Sequence, residues 1–278
     1  MPEVRLSAGT IEYEDTGGTG PVIVFVGGLM MDGSLWRHVV KDLRRDYRCV
    51  LPTMPLGAHR RPMHPDADLS MHGMVALLGE FIDALDLHEI TLAMNDWGGP
   101  LLLVGSPHDE RIARLVVCSC EAFDNVPPKG AAKLLPYLAR IPGALDLALL
   151  PFRFDQLRRL PMTYGPLSKR PVPREVMDRW FAPVRERAIR RDLRKYVRRA
   201  PQGRRELLAG MDALAAFDRP ALVAWASEDR LMPPEHGRRI AQLLPQAQLV
   251  EIGDSYTLVP EDQPVTLTAH IRELLGRP

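Results

Sequence analysis

The chain has 278 residues, 46% of them hydrophobic and 26% charged, enough to bury the core of one α/β domain with room for an inserted subdomain. Its 36 Lys and Arg nearly cancel its 35 Asp and Glu, so net charge gives no reason to expect nucleic acid or an anionic membrane as the main partner. No run reaches the roughly 18 apolar residues of a membrane span, Met1-Pro2-Glu3-Val4-Arg5 has no secretory-signal pattern, and Cys49, Cys118 and Cys120 read as buried reduced thiols, which together point to a cytoplasmic protein.

The first buried strand is Val22-Ile23-Val24-Phe25-Val26, ended by Gly27-Gly28. Leu35-Trp36, Val39-Val40 and Leu43 then repeat at helical spacing behind Ser34, read as the N-cap. Tyr47 to Leu51 is the next strand, closed by Pro52 and Pro55. A helix is expected from about Ser70 to Leu85, a strand from Ile90 to Met94, a helix beginning at Pro100 to Gly105, and a strand from Leu115 to Cys120. From about Asn125 to Phe217 strand-like runs vanish, prolines are frequent, and arginines crowd one helical stretch, read as a solvated face. The rhythm resumes with a strand at Ala221 to Trp225, a helix from Pro234 to Leu244, a strand from Gln248 to Ile252 and a helix near Val265 to Leu275. This alternation predicts an α/β fold with a mostly parallel central sheet flanked by helices. Residues 1–124 and 218–278 would form the core and 125–217 a helical cap.

The most informative stretch is Thr91-Leu92-Ala93-Met94-Asn95-Asp96-Trp97-Gly98-Gly99-Pro100. An apolar strand runs into a residue able to attack, then into two glycines that open a helix. This is the layout of a nucleophile elbow, where a sharp strand-to-helix turn leaves no space for β-carbons nearby. The plainer alternative is an Asp that caps the following helix.

These residues resemble the elbow of the aspartate-nucleophile α/β-hydrolases, the haloalkane dehalogenases and epoxide hydrolases, in which Asp-Trp-Gly-Gly recurs. The likeness spans almost the whole chain, and the stretch Pro52 to Ser70 is similar to a subgroup of bacterial α/β-hydrolases. It implies an α/β-hydrolase fold with Asp96 as nucleophile and Gly27-Gly28-Leu29-Met30 as oxyanion loop. Asp229, at the end of Trp225-Ala226-Ser227-Glu228-Asp229, then stands where the family carries a catalytic acid. Glu121 is near where some dehalogenases place theirs. The backbone N–H groups of Trp97 and Leu29 would form the oxyanion hole, with Gly28 and Asn95 beside them, and the Trp97 indole could hold a departing halide or oxygen.

Three departures from the family pattern bear on the chemistry. Counting back from Glu261-Asp262-Gln263-Pro264, the family's catalytic His falls on Thr257, which is no general base near neutral pH. The His before the oxyanion-loop glycine is Gly27, and the Asn that helps hold halide is Leu29. Substitute bases are sought in His59, His64 and His236, and epoxide-protonating groups in Tyr137, Tyr164 and Tyr196.

Three functions remain open. One is a hydrolase of small organic molecules (haloalkane, epoxide or ester-like). The second is a non-hydrolytic lyase or cyclase, and the third a protein that binds a ligand unchanged. No metal-ligand spacing and no phosphate-cradling Gly loop is found, so no cofactor is expected. The expected partner is a small-molecule substrate, and a homo-oligomer is allowed.

Overall fold

The computed structural model describes residues 1–276. Eight strands form one sheet: β1 Glu3–Leu6, β2 Gly9–Asp15, β3 Val22–Val26, β4 Arg48–Pro52, β5 Ile90–Asp96, β6 Ile112–Cys120, β7 Ala221–Ala226 and β8 Ala247–Ile252. Their spatial order is β1-β2-β4-β3-β5-β6-β7-β8. All pairings from β4 to β8 are parallel, and the two made by β2 are antiparallel. Parallel pairing requires crossovers, and the helices that supply them cover the sheet, so central strands are buried on both faces. Every residue of β5 and β7 is buried accordingly. Mostly parallel strands with flanking helices are the α/β-hydrolase arrangement expected from the sequence.

The edge hairpin β1–β2 escapes sequence inspection because its residues are half exposed and alternate Glu, Thr and Tyr with aliphatics. Two helix expectations are corrected. Ser34 does not cap a helix: Asp32 accepts its backbone N–H at 3.0 Å, and the α-helix begins at Arg37. The Ser34 hydroxyl instead donates to Asp32 and accepts the Trp180 indole N–H at 2.9 Å. After the elbow there is only a 3₁₀ stretch, Gly99–Leu103, because Val104 turns extended and Gly105 adopts φ +77°. The helix Met71–Ala84 follows its pattern, with the Ser70 hydroxyl accepting the Gly73 N–H.

Between β6 and β7 the chain forms only helices and turns, the longest being Arg187–Arg198. Its arginines do not form a plain solvated face. Arg190 and Arg194 pair with Asp146, and Arg199 pairs with Asp68. Asp192 on the same helix is fully buried and accepts the Met63 N–H at 2.8 Å. The bonds of Arg199 and Asp192, with Trp180 on Ser34 and Arg179 on Asp32, tie the insertion to the loops above the sheet, while those to Asp146 lie within it.

Candidate active site

Asp96 closes β5 at φ +67°, a left-handed conformation that costs a non-glycine residue about 1–3 kcal/mol. Several bonds hold it there. The Glu121 N–H donates to the Asp96 carbonyl at 2.9 Å, and the Asn95 amide donates to the carbonyls of Ser119 and Thr257 at 2.8 and 2.7 Å. Close approach explains two of the glycines. A β-carbon on Gly98 would overlap the Glu121 carbonyl oxygen, and one on Gly28 would overlap the Asp96 carboxylate.

This last contact gives a direct prediction. Gly28→Ala should lower stability by about 1–3 kcal/mol through overpacking, read as a drop in the urea midpoint. Gly253→Ala, with open space around it, serves as the control and should move the midpoint far less. Equal midpoints for the two variants would overturn the tight fit.

One oxygen of the carboxylate, Oδ2, accepts the Leu29 backbone N–H at 3.0 Å. The Tyr164 hydroxyl donates to the Leu29 carbonyl and so anchors the same residue through its following peptide unit. Burial pushes the Asp96 pKa up to about 6; the Leu29 N–H pulls it down and the charge of Asp229 adds to the rise. A carboxyl kept at that level is poised between acid and nucleophile at neutral pH.

Asp96 and Glu121 open into one cavity of about 420 Å³ between the sheet and the insertion, otherwise walled mostly by leucines, prolines and aromatic rings. Trp97, Leu29, Tyr164 and Tyr196 also line it; Tyr137 is exposed and does not. Glu121 is buried, its Oε2 has no hydrogen-bond partner, and burial followed by the neighbouring Asp96 charge raises its pKa well above the usual carboxylate range. Both its burial and the Asp96 charge favour its protonated form.

Asp229 and Thr257 lie behind the cavity wall rather than on it. The Thr257 hydroxyl donates to Asp229 Oδ1 at 2.9 Å, and the N–H groups of Leu231 and Met232 donate to the same oxygen. Asp229 Oδ2 is buried without a partner, and burial raises its pKa. Asp229 is thus bonded to a hydroxyl at the position where the resemblance expects an imidazole. None of the eight histidines lines the cavity. His59 is buried against Asp192, 3.4 Å away, and His236 faces Asp124 and Phe123.

Four expected site roles change. The Trp97 N–H is not aimed at the cavity: it donates to the Asn95 carbonyl at 2.9 Å, because the left-handed residue between them folds the backbone into a tight turn. The Trp97 indole N–H donates to Met71 Sδ at 3.2 Å, a weak acceptor. Asn95 is absent from the wall and acts as a brace between the ends of β5 and β6 and the loop that carries Thr257. Gly28 contributes space rather than a contact. Sequence reasoning also missed Ser119, whose hydroxyl accepts the Ala226 N–H. Its only signal was a lone polar residue inside an apolar strand.

Among the described residues no group of three or more His, Cys, Asp or Glu side chains could hold a metal, and no helix is long and apolar enough to cross a membrane. The three cysteines are free and buried, and burial raises the thiol pKa of each.

A carboxyl on a strained strand-to-helix turn, facing a loop N–H and an apolar hollow under a helical insertion, is the arrangement of an enzyme built on the α/β-hydrolase scaffold. The chain belongs to the α/β hydrolase fold family, whose model matches residues 21–264. Among its relatives, a cis-3-alkyl-4-alkyloxetan-2-one decarboxylase of Xanthomonas campestris is 28% identical, covering 96% of this chain and 92% of that protein. A haloalkane dehalogenase of Mesorhizobium japonicum is 22% identical, covering 94% and 86%. The crystal structure of a reconstructed ancestral haloalkane dehalogenase superposes with a TM-score of 0.79 at 22% identity, covering 99% of this chain and all of that one. Within the family the chain therefore resembles the haloalkane dehalogenases, a likeness of sequence and fold.

Proposed function

We propose that the chain is a hydrolase that takes a small, largely apolar substrate under its cap, residues 125–217, and attacks it with the carboxylate of Asp96. The core would be 1–124 with 218–278. One observation carries the reading: Asp96 Oδ2 rests on the Leu29 N–H at the floor of an apolar cavity. An ionised Asp96 would form a C–O bond to an electrophilic carbon while the leaving group departs with the bonding electrons, giving an alkyl-enzyme ester. Where the leaving atom is oxygen, as in an epoxide or ester-like substrate, Glu121 can supply its proton. A halide would find weaker support. Leu29 offers no side-chain amide and the Trp97 indole is directed at Met71. Water would then add to the ester carbonyl, with the Leu29 N–H stabilising the oxyanion, and the intermediate would collapse to expel the product alcohol and restore the Asp96 carboxyl.

The missing imidazole favours a second reading for the later step. Without a base to activate water, the adduct or the bound substrate could instead break down by elimination, as the relationship to an oxetanone decarboxylase suggests.

Intact-mass spectrometry after incubation with epoxides, haloalkanes and oxetanones tests the first step. An adduct is expected, forming faster as pH rises through about 6, where Asp96 ionises. No mass shift and no turnover across the panel would sink the nucleophile. Reaction in ¹⁸O-labelled water separates the two readings: hydrolysis places the label in the Asp96 carboxylate in the first turnover and in product only in later ones, whereas elimination places it in neither.

A further inference from the structure

Nine of the thirteen large hydrophobic side chains exposed among the described residues lie between Leu134 and Met162. Soluble monomers rarely concentrate exposed apolar surface in this way unless something covers it. Four of the nine, Leu134, Leu157, Leu160 and Met162, also line the cavity that holds Asp96, so the patch surrounds its mouth. Leu147 and Leu150 line a second, open groove of about 430 Å³, whose inner wall shares Leu149 and Phe152 with the cavity.

The charges in this segment are one-sided. Asp146 and Asp155 are its only carboxylates, and both are paired, with Arg190 and Arg194 and with Arg158. Lys129, Lys133, Arg140, Arg153 and Arg159 are exposed around the leucines, and none of them has a carboxylate within ion-pair distance among the described residues. The near-zero charge of the whole chain averages this local excess away.

We propose that the Leu134–Met162 face docks peripherally on an anionic lipid surface, which places the mouth of the cavity against the acyl phase. Apolar side chains that enter the headgroup boundary, ringed by unpaired cations, are what an anionic bilayer recognises. A second copy of the chain would set these cations against one another. The route also suits the cavity, because an apolar substrate dissolved in lipid would enter without crossing water. The docking stands whether or not Asp96 is the nucleophile.

The test is co-flotation of the full chain with phosphatidylcholine vesicles, with and without phosphatidylglycerol, at low and high salt. Binding is expected only to the anionic vesicles and should fall with salt. Leu147→Glu and Phe154→Glu, neither of which lines the cavity, should each weaken it about tenfold or more. Lys133→Ala and Arg140→Ala should each weaken it about fivefold while leaving the thermal melt unchanged. Absence of wild-type binding overturns the proposal, and so does equal binding to both vesicle types. So would a concentration-dependent dimer that Leu147→Glu dissolves, or capture by polyglutamate without capture by vesicles.

Discussion

Asp96→Asn is expected to abolish adduct formation and at the same time to make the protein more stable at pH 8. The chemical loss follows from replacing the attacking oxygen anion by a neutral amide, and should exceed about 1,000-fold. The gain in stability follows from linkage. The folded-state pKa of Asp96 is about 6, above its ordinary 3.8. Between those values the unfolded chain has released the proton while the native state still holds it. Stability therefore falls as pH rises through that window, and the deficit is complete above pH 6, on the order of 3 kcal/mol. The Asn oxygen can still accept the Leu29 N–H, so the turn keeps its brace. Chemical denaturation at pH 3.5 and pH 8 reads the effect, with the gain present only at the higher pH. A variant no more stable than its parent at pH 8 would show that Asp96 is an ordinary solvated carboxylate.

How much of this site is legible in the sequence depends on how local each constraint is. The elbow packs its strand, its carboxylate residue and its two close-packed glycines into consecutive positions, and so Asp96 and Gly98 can be read directly. Position 257 can be placed by counting from Glu261-Asp262-Gln263-Pro264, because that segment is short and ordered by one turn of helix, Val259–Asp262. The Trp97 N–H could not be placed that way. Whether it faces the cavity or the Asn95 carbonyl turns on a few tens of degrees of backbone rotation at Asp96, which no side-chain pattern encodes. Tyr164 and Tyr196 could be suspected but not separated from Tyr137, since their approach to the cavity comes from packing of the insertion against loops far away in sequence. The arginines of Arg187–Arg198, and Arg199 that caps it, look solvated in a helical projection because their partners Asp146 and Asp68 lie on other segments.

Thr257→His is expected to turn a slow or stalled second step into catalytic turnover. Asp229 is already prepared to orient an imidazole: Leu231 and Met232 fix its Oδ1, and its Oδ2 is buried with nothing bound to it. An imidazole N–H in place of the threonine hydroxyl would satisfy one of these oxygens, leaving the other ring nitrogen free to take a proton from water. General-base assistance of this kind contributes about 100-fold to 10,000-fold. The lifetime of the alkyl-enzyme measured by mass spectrometry should shorten by at least the lower figure. Its decay should also acquire a pH dependence with an apparent pKa near that of histidine, which a change that merely loosened the fold would not produce. The sign of that dependence is fixed in advance. The base works only when neutral, so decay must speed up as pH rises through the transition and level off above it. A persistent adduct in a folded Thr257→His variant would mean that the site is built for a reaction without water, and the decarboxylase-like reading would then take precedence.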